Sequence, residues 1–454
     1  MRTRSCLAVL LVGSVLATAR ATHGASLSPA DQSILLSQMN DIAPAYVKLV
    51  LAVGQHDKDY VDAFYGPAEW KTEAKAARKP LLAIAAEANA LIARIQSLRE
   101  PADEMLRLRR AYLMRQLQAL STCVAVLGGK RLSFDEESQA LYDAVAPVNT
   151  EEHFREIREE LGRALPGRGG SASLVERYEA FRKDFTIPKD KVDGVFRAAI
   201  AECRNRTLRH IALPPGESFT VEYVTGKSWS GYNWYQGTYR SLIQVNTDLP
   251  ITIDRAIDLA CHEGYPGHHV YNTLLEKNLV RDRGWVEYSV YPLFSPQSLI
   301  AEGSANFGIE MAFPGRERVE YEKARLYPLA GLDPARAEEF ERVRQILDRL
   351  AYAGNEAARR YLNGEIDATA AARWLSDYAL YPRDRAEQRV RFIDQYRSYV
   401  INYNLGKDIV RKFVESQGGT PDHPAKRWEV FAMLLSSPRL PSQLTKRPQG
   451  ASSS

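Results

Sequence analysis

The chain has 454 residues, of which 45% are hydrophobic and 26% are charged, so it can bury a core and is not disordered by composition. Its 60 Lys and Arg residues against 56 Asp and Glu residues give a net charge of +4. This balance lacks the basic surplus of a nucleic-acid-binding protein, and we expect no nucleic-acid partner. Four cysteines in this length exclude a disulfide-framed miniprotein and a zinc module built on four cysteine ligands.

Residues 1–24 have the features of a signal peptide: two arginines, then about a dozen apolar residues, then small-x-small cleavage sites. The apolar run is shorter than the roughly 20 residues that span a bilayer, so an uncleaved anchor is only the alternative. Cys6 precedes this run, which argues against a lipoprotein anchor. Removing residues 1–24 leaves 57 basic and 56 acidic residues, a net charge of +1. We predict an exported protein, periplasmic or secreted, without stable membrane insertion after cleavage.

The first half of the remaining chain has helical patterns. Pro80–Leu98 and Pro101–Leu127 look like a helical pair, the second ended by two glycines. Ser133–Glu136 and Ser173–Glu176 are capping-box patterns, which open helices. This part of the chain is therefore predicted to be helical.

A small sheet is predicted in the middle of the chain. Ser218–Val224 alternates in hydrophobicity, and Tyr239–Val245 is rich in β-branched and aromatic residues, so both are predicted strands. Helical patterns return from Thr252 and continue with interruptions to Leu435. The patterns predict a mainly α protein with one small β-sheet just upstream of a histidine-rich segment.

That segment, Leu259–His269, holds three of the eight histidines of the chain. It begins with His262-Glu263, as the HExxH motif of zinc peptidases begins. In HExxH a second histidine follows one helical turn later, so that both imidazoles face one zinc ion and the Glu polarises its water. Here Pro266 occupies that position, and the next histidines are His268 and His269.

The spacing of these histidines requires a break in the helix. On a regular helix His269 would lie roughly 10.5 Å further along the axis than His262, and His268 would point away from both. Pro266 removes a helical hydrogen bond, and Gly267 accepts unusual backbone angles. A Pro-Gly bulge would bring His268 to the usual place of the second histidine, so we favour His268 as a ligand, with His269 as the alternative.

A third metal ligand is expected from a following helix. The best candidate is Glu302, 40 residues after His262 in an otherwise apolar helical segment. Asn306 lies one turn further on the same face, where it could orient Glu302 or a histidine. Glu310 continues this face and is the weaker alternative.

At these residues the sequence resembles the bacterial family named domain of unknown function 885. Its members look like gluzincin-type zinc metallopeptidases that carry HExxPGHH and a later EGWAxY-like element, here His262–His269 and Glu302–Phe307. Tyr239–Asn246 matches the family's strand ending in Asn. Asn402–Lys407 is similar to its AYKIGQ segment, with Tyr403 on the tyrosine.

The resemblance extends from Val221 to Phe413 and has two departures. The family's Trp and Tyr after the glutamate are Ser304 and Phe307 here, and its PGQ is Arg397-Ser398-Tyr399. These changes leave the expected metal ligands intact and alter the expected substrate pocket. The resemblance implies a large, helical, two-lobed metallopeptidase-like fold.

We divide the chain into four regions on these grounds: a signal peptide (1–24), an N-terminal helical region (25–205), a catalytic zinc-binding region (206–436) and a flexible C-terminal tail (437–454). In the catalytic region we expect one Zn²⁺ ion, held by His262, His268 and Glu302, with one position left for water. Other divalent ions accept the same ligands.

Glu263 is the expected general base, which takes a proton from the attacking water and delivers it to the leaving amine. The oxyanion needs a further donor, for which Tyr403 is the first candidate and His269 the second. Tyr396, Tyr399 and Tyr403 recur at helical spacing, so a packed aromatic stripe is the alternative interpretation of Tyr403.

Candidate substrate-binding residues are Arg240 and Asn246, at the two ends of a strand whose edge could pair with an extended peptide, and Tyr232. Trp234 and Tyr235 are expected to line the cleft with Tyr232. The alternatives are a buried core strand and a packing loop.

The leading hypothesis is an exported zinc metallopeptidase that hydrolyses short peptides, so that its partner is an oligopeptide substrate. One alternative is a zinc amidase that acts on a non-peptide acyl amide. Another is a catalytically inactive protein that binds metal or peptide. The intact Glu263 argues against the inactive protein, because binding alone would not require that carboxylate.

Overall fold

The computed structural model describes residues 29–167, 170–227 and 229–445, so the signal peptide predicted for residues 1–24 lies outside the described residues. Helices dominate, and the predicted mainly α class is confirmed. None of the described helices combines the length and the apolar character needed to cross a membrane. In chain order the helices are α1 (Pro29–Val53), α2 (Ala68–Ala77), α3 (Leu81–Ser97), α4 (Glu104–Leu127), α5 (Phe134–Tyr142), α6 (Glu151–Ala164), α7 (Leu174–Lys183), α8 (Val192–Leu208), α9 (Ile253–Leu259), α10 (His268–Leu275), α11 (Pro296–Ala312), α12 (Glu317–Tyr321), α13 (Tyr327–Ala330), α14 (Ala337–Asp348), α15 (Ala353–Leu362), α16 (Ala368–Ala379), α17 (Arg383–Tyr396), α18 (Ile401–Ser416), α19 (Pro424–Leu435) and α20 (Pro441–Leu444).

The strands of the described residues form two small sheets. β1 (Val61–Phe64) pairs antiparallel with β5 (Val290–Pro292). In the other sheet β2 (Ser218–Val224) is parallel to β4 (Arg240–Asn246), and β4 is antiparallel to β3 (Gly231–Gly237). Because β4 has a partner on each side, it is the centre of this sheet, and β2 and β3 are its edges.

The predicted strands capture two of these five. β2 coincides with the predicted strand 218–224, and β4 begins one residue later than the predicted strand 239–245. β3 was not predicted, because the glycines at its two ends and Asn233 have low strand propensity. β1 and β5 were also missed, since strands of four and three residues are too short to show a period.

The hydrophobic core is continuous across the boundary predicted between residues 205 and 206. One cluster of buried side chains includes Leu35 of α1 and Leu444 of α20, and α8 runs through the boundary. A buried ion pair also joins the two regions, because Arg109 Nε lies 2.5 Å from Glu287 Oε1 with both side chains fully buried. The N-terminal helices therefore support the part of the fold that carries the histidines.

The last described residues pack against the same core. Leu440 and Leu444 are 3% and 4% exposed. Part of the region predicted as a tail, 437–454, is therefore folded, while residues 446–454 lie outside the described part of the chain.

Helices α11 and α18 cross at very short range. A Cβ added to Gly303 would lie 2.3 Å from the carbonyl carbon of Gly406, and a Cβ added to Gly406 would lie 2.6 Å from the carbonyl oxygen of Leu299. Since Cβ atoms do not approach backbone atoms so closely, only glycine fits at both positions. The crossing positions Glu302 of α11 against the tyrosines that precede Gly406.

We expect Gly303→Ala to lower the free energy of unfolding by about 1–3 kcal/mol or more, because the added methyl group overpacks this crossing. The matched control is Gly354→Ala in α15, where nothing lies within 4 Å of an added Cβ. That change should raise stability by about 0.5–1 kcal/mol, since Ala is the better helix former. Denaturant titration of both variants measures the difference, and equal effects would contradict the close crossing.

Candidate metal centre

The histidine motif occupies a break between two helices. α9 continues into a π-helical turn, Ala260–Gly264, and α10 begins at His268. Gly267 closes the break: its N–H donates to the carbonyl of Cys261 at 2.9 Å, and a Cβ there would lie 1.8 Å from the carbonyl oxygen of His262. The bulge predicted within one helix is thus a wider break that starts a new helix.

This break brings together the three side chains predicted to bind metal. His262 Nε2 lies 3.2 Å from His268 Nε2. Glu302 Oε2 lies 3.3 Å from His262 Nε2 and 3.8 Å from His268 Nε2. The three side chains form what we call the metal cluster.

The donor set and spacing of the metal cluster fit a divalent metal ion. Tetrahedral ligands at about 2.0–2.1 Å from a zinc ion stand about 3.3–3.4 Å apart. Glu302 Oε2 is buried and has no hydrogen-bond partner among the described residues, as expected of an oxygen that faces an ion. The side chain of Glu263 also lies close, since its carboxylate and the two imidazoles have ligand atoms within 4.8 Å of one another. Two carboxylates therefore border the imidazoles.

Hydrogen bonds from neighbouring residues orient the metal cluster. His262 Nδ1 lies 3.1 Å from Asn306 Oδ1, and Asn306 Nδ2 donates to the carbonyl of Tyr403 at 3.0 Å. An N–H on Nδ1 leaves the lone pair of His262 on Nε2, towards the cluster. On the other side, the Tyr399 hydroxyl donates to Glu302 Oε1 at 2.7 Å, which leaves Oε2 facing the imidazoles.

Glu263 is the second carboxylate beside the imidazoles. Its side chain is buried, and its backbone carbonyl accepts a hydrogen bond from Asn233 Nδ2 at 2.7 Å. Gly231 of β3 passes so close that a Cβ there would lie 2.9 Å from Glu263 Oε1. Burial raises the pKa of Glu263, the two imidazoles oppose this shift, and the charge of Glu302 adds to it. A carboxylate with a raised pKa is suited to accept and return a proton near neutral pH.

The metal cluster attracts positive charge. Burial favours neutral His268, but its close contact with Glu302 and the charges of Glu302, Glu263 and Asp62 outweigh burial and raise the pKa of His268 to about 9. Burial also opposes ionisation of Glu302, yet its contacts with His262 and His268 outweigh burial and lower the pKa of Glu302. The acidic groups around His268 therefore favour positive charge at this position.

Tyr403 is part of an aromatic stripe that reaches Glu302 through Tyr399. Its ring centroid is 5.8 Å from that of Tyr399, which in turn is 6.1 Å from that of Tyr396. Burial and then the charge of Glu302 hold the pKa of Tyr403 well above its usual range. The hydroxyl therefore keeps its proton and can donate a hydrogen bond, and its catalytic role stays a prediction.

The structure does not bring His269 to the metal cluster. His269 is fully buried, with Nδ1 2.9 Å from Ser241 Oγ and Nε2 3.0 Å from Glu217 Oε2. Glu217 also accepts hydrogen bonds from Tyr265 and Arg204, each at 2.6 Å. Because both ring nitrogens are engaged, we give His269 no part in the proposed chemistry.

The strand expected to present its edge to a peptide has no free edge. β2 and β3 occupy both sides of β4, so that expectation is wrong, and the edge strand beside Glu263 is β3. Asn246 Nδ2 donates to the carbonyls of Lys227 and Trp229, each at 3.0 Å, and so holds the loop before β3. Arg240 is exposed at the start of β4. Neither side chain contacts the metal cluster in the described part of the chain.

The aromatic residues expected to line the cleft separate onto two faces of β3. The Tyr232 hydroxyl donates to Asp62, and its ring centroid is 4.4 Å from that of Trp234. Tyr235 is buried on the other face, where its hydroxyl donates to Glu276 at 2.6 Å. Tyr232 and Trp234 therefore share one face of β3, and Tyr235 lies on the other face, in the core.

Glu310, the weaker alternative for the third ligand, is engaged elsewhere. Its Oε1 lies 2.9 Å from Lys407 Nζ, and its Oε2 accepts from Arg411 Nε at 3.1 Å. These ion pairs turn Glu310 towards α18, and Glu302 is the acid that faces the imidazoles.

Two residues near the metal cluster were not predicted as site residues. The Tyr399 hydroxyl donates a hydrogen bond to Glu302. The sequence contains a signal for this residue, because Tyr399 precedes Tyr403 by four residues and so lies on the same helical face as Tyr403. Asp62 lies within electrostatic reach of the cluster. Nothing in its local sequence indicates this, since β1 reaches the site by pairing with the distant β5.

The cysteines of the described chain, Cys123, Cys203 and Cys261, are buried free thiols. The sulfur atoms of Cys203 and Cys261 lie 2.7 Å apart. Cys261 is fully buried beside His262, as expected of a small apolar side chain.

No family model matches the chain, and no curated protein matches it. Similar solved structures include a candidate lipoprotein from Colwellia psychrerythraea, 14% identical with a TM-score of 0.49, which covers 79% of this chain. This chain covers 65% of that protein, less than two thirds of its length. A candidate lipoprotein of unknown function from Shewanella oneidensis is 14% identical over 84% of this chain and 78% of its own, with a TM-score of 0.45. Metallocarboxypeptidase 1 of Trypanosoma cruzi is 15% identical over 90% of this chain and 91% of its own, with a TM-score of 0.36.

Proposed function

We propose that the protein is a zinc-dependent hydrolase that cleaves peptide bonds in short peptides. The proposal is carried by the approach of His262 Nε2, His268 Nε2 and Glu302 Oε2 to within 3.2–3.8 Å of one another, beside the buried Glu263. Two imidazoles, one carboxylate ligand and a neighbouring acid are the groups that zinc peptidases use. In this proposal the metal cluster holds one zinc ion.

When bound there, zinc supplies Lewis acidity that lowers the pKa of a water molecule towards about 7. Glu263 accepts a proton from the attacking water and passes it to the leaving amine. The Tyr403 hydroxyl donates a hydrogen bond to the oxyanion that develops on the scissile carbonyl. Asn306 and Tyr399 hold His262 and Glu302 in place, so that the proton transfers occur in a fixed geometry.

The proposed substrate is an extended oligopeptide. β3 is the sheet edge that passes beside Glu263, and an extended peptide adds to such an edge through backbone hydrogen bonds. Glu263 and Glu302 are buried, with exposures of 4% and 7%. A recessed site favours short, flexible substrates over folded proteins. Export, which rests on residues 1–24, remains part of the proposal.

Metal analysis combined with a peptide-library cleavage profile tests this function. We expect about one zinc ion per chain, peptide cleavage, and loss of cleavage with a chelator that zinc restores. Hydrolysis of non-peptide amides alone would favour the amidase alternative. A metal-free, inactive protein would contradict the proposed function.

Tyr399→Phe is expected to weaken zinc binding by about 10–100-fold, because it removes the hydrogen bond that orients Glu302. Competition with a fluorescent chelator measures this affinity. The matched control is Tyr361→Phe, which removes a hydroxyl that donates to the exposed carboxylate of Asp394. The control should bind zinc as tightly as the unmodified chain does. Equal zinc affinities for the unmodified chain, Tyr399→Phe and Tyr361→Phe would show that Tyr399 does not orient Glu302 for metal binding.

A further inference from the structure

Two buried cysteines face each other where α8 packs against the histidine motif. Cys203 lies in α8, and Cys261 lies in the π-helical turn, directly before His262. Both cysteine side chains are fully buried, and their sulfur atoms lie 2.7 Å apart. No other atom fits between two sulfur atoms at this distance. The fold therefore brings together two thiols that are 58 residues apart in the chain.

Cys123 of α4 provides an internal comparison. Its side chain is also buried, with an exposure of 5%. In the described part of the chain the close contact between sulfur atoms is confined to Cys203 and Cys261. Burial of a small apolar side chain accounts for Cys123, whereas the other two cysteines are in addition directed at each other.

The turn that holds Cys261 also helps to position the metal cluster. The carbonyl of Cys261 accepts the hydrogen bond from the Gly267 N–H, at 2.9 Å, that closes the break between α9 and α10. After the break, His269 Nε2 lies 3.0 Å from Glu217 Oε2, and Glu217 accepts a hydrogen bond from Arg204 of α8 at 2.6 Å. Contacts of α8 therefore reach both sides of the break.

We propose that Cys203 and Cys261 form a disulfide bond in the exported protein, which fastens α8 to the turn that carries His262 and Glu263. This inference rests on the export part of the proposed function and is independent of peptidase activity. Disulfide bonds persist in the periplasm and outside the cell. A cross-link between residues so far apart in the chain restricts the unfolded chain and so stabilises the folded protein.

The bond forms by exchange with an external disulfide. One cysteine thiolate attacks that disulfide, forms a mixed disulfide and releases one thiol. The second cysteine thiolate then attacks the mixed disulfide at the sulfur of the first cysteine and releases the other thiol. The two cysteines lose two protons and two electrons, and the external disulfide is reduced to two thiols.

Alkylation and peptide mapping test the bond. The purified protein is equilibrated with reduced and oxidised glutathione, at a denaturant concentration below the unfolding transition, so that local opening admits the reagents. It is then unfolded and treated with N-ethylmaleimide before or after a phosphine reductant. We expect Cys123 to be alkylated without reduction, and Cys203 and Cys261 only after it. Digestion of the oxidised protein should give two peptides joined through Cys203 and Cys261, which the reductant separates.

Thermal unfolding measures the effect of the bond on stability. The oxidised protein should melt about 2–5 °C above the protein reduced with the phosphine, a reductant that adds no thiol to compete for zinc. Cys203→Ala should show no such difference between the two conditions. The matched control is Cys123→Ala, which also replaces a buried cysteine by alanine and should keep the full difference.

Two results would overturn this proposal. One is alkylation of Cys203 and Cys261 without reduction after equilibration with glutathione. The other is an equal melting temperature of the oxidised and the reduced protein, which would show that the bond fastens nothing. If Cys203→Ala does not fold, both measurements on the unmodified chain still decide.

Failure of this proposal is distinguishable from failure of the proposed function. The glutathione mixture sets the redox condition, so the result does not depend on whether residues 1–24 direct export. Zinc content and peptide turnover are measured separately on the same preparation. A disulfide bond without hydrolysis would retain the bond and reject the peptidase function, whereas hydrolysis without the bond would do the reverse.

Discussion

Glu263→Gln is expected to lower kcat by about 10²–10⁴-fold while the protein keeps about one bound zinc ion per chain. Glutamine has nearly the shape of glutamate, so the packing of Gly231 against this side chain should persist. It cannot accept a proton, however, and the attacking water would lose its base. Turnover of a cleaved peptide and zinc content measured on the same preparation check both parts of this expectation.

The matched control for this variant is Glu69→Gln, because Glu69 is an exposed residue of α2. It should retain both zinc and turnover. Full turnover of Glu263→Gln would show that another group takes the proton. Loss of zinc from Glu263→Gln would place Glu263 among the ligands and contradict the division of roles between Glu263 and Glu302.

Local signals in the sequence predicted the helices well, because helix ends depend on neighbouring residues. The capping boxes Ser133–Glu136 and Ser173–Glu176 are both present, with each serine accepting from the backbone N–H of its glutamate. Strand β3 lacked such a signal. Its place at the sheet edge depends on pairing with β4, and no local pattern of residues 231–237 indicates that pairing.

The residues at the metal cluster also differ in whether local sequence or a distant part of the chain determines their position. His262, Glu263 and His268 lie within seven consecutive residues, so their chemistry was visible as a motif. Glu302 was found because zinc peptidases place a carboxylate on a following helix. The influence of the Asp62 charge on the pKa of His268 could not be predicted, since β1 is placed by its pairing with β5, and the two strands are far apart in the chain.

The spacing of the adjacent histidines did not by itself decide whether His268 or His269 is the second metal ligand. The structure separates them through the start of α10. His268 at its first position faces His262, and His269 at the next position turns towards β4 and Glu217. What decides between the two side chains is therefore the break at Gly267, whose extent the sequence did not reveal.

His268→Ala is expected to weaken zinc binding by about 10²-fold or more and to abolish hydrolysis with it. Zinc sites with four ligands bind with about 10–16 kcal/mol, so one ligand contributes roughly 3 kcal/mol, and each 1.4 kcal/mol is about tenfold in affinity. Zinc content after dialysis against a weak chelator measures the loss. Added zinc should restore part of the activity if the fold is intact.

His269→Gln is the matched comparison at the neighbouring position. Gln retains a donor and an acceptor for Ser241 and Glu217, so about one zinc ion per chain should remain bound. The free energy of unfolding should fall by about 1–3 kcal/mol, because the hydrogen bonds of the buried network around Glu217 would be less well aligned. The two variants therefore separate metal binding from stability: the first loses zinc, and the second loses stability. Zinc loss from His269→Gln with zinc retained in His268→Ala would exchange the two roles and reject the proposed cluster.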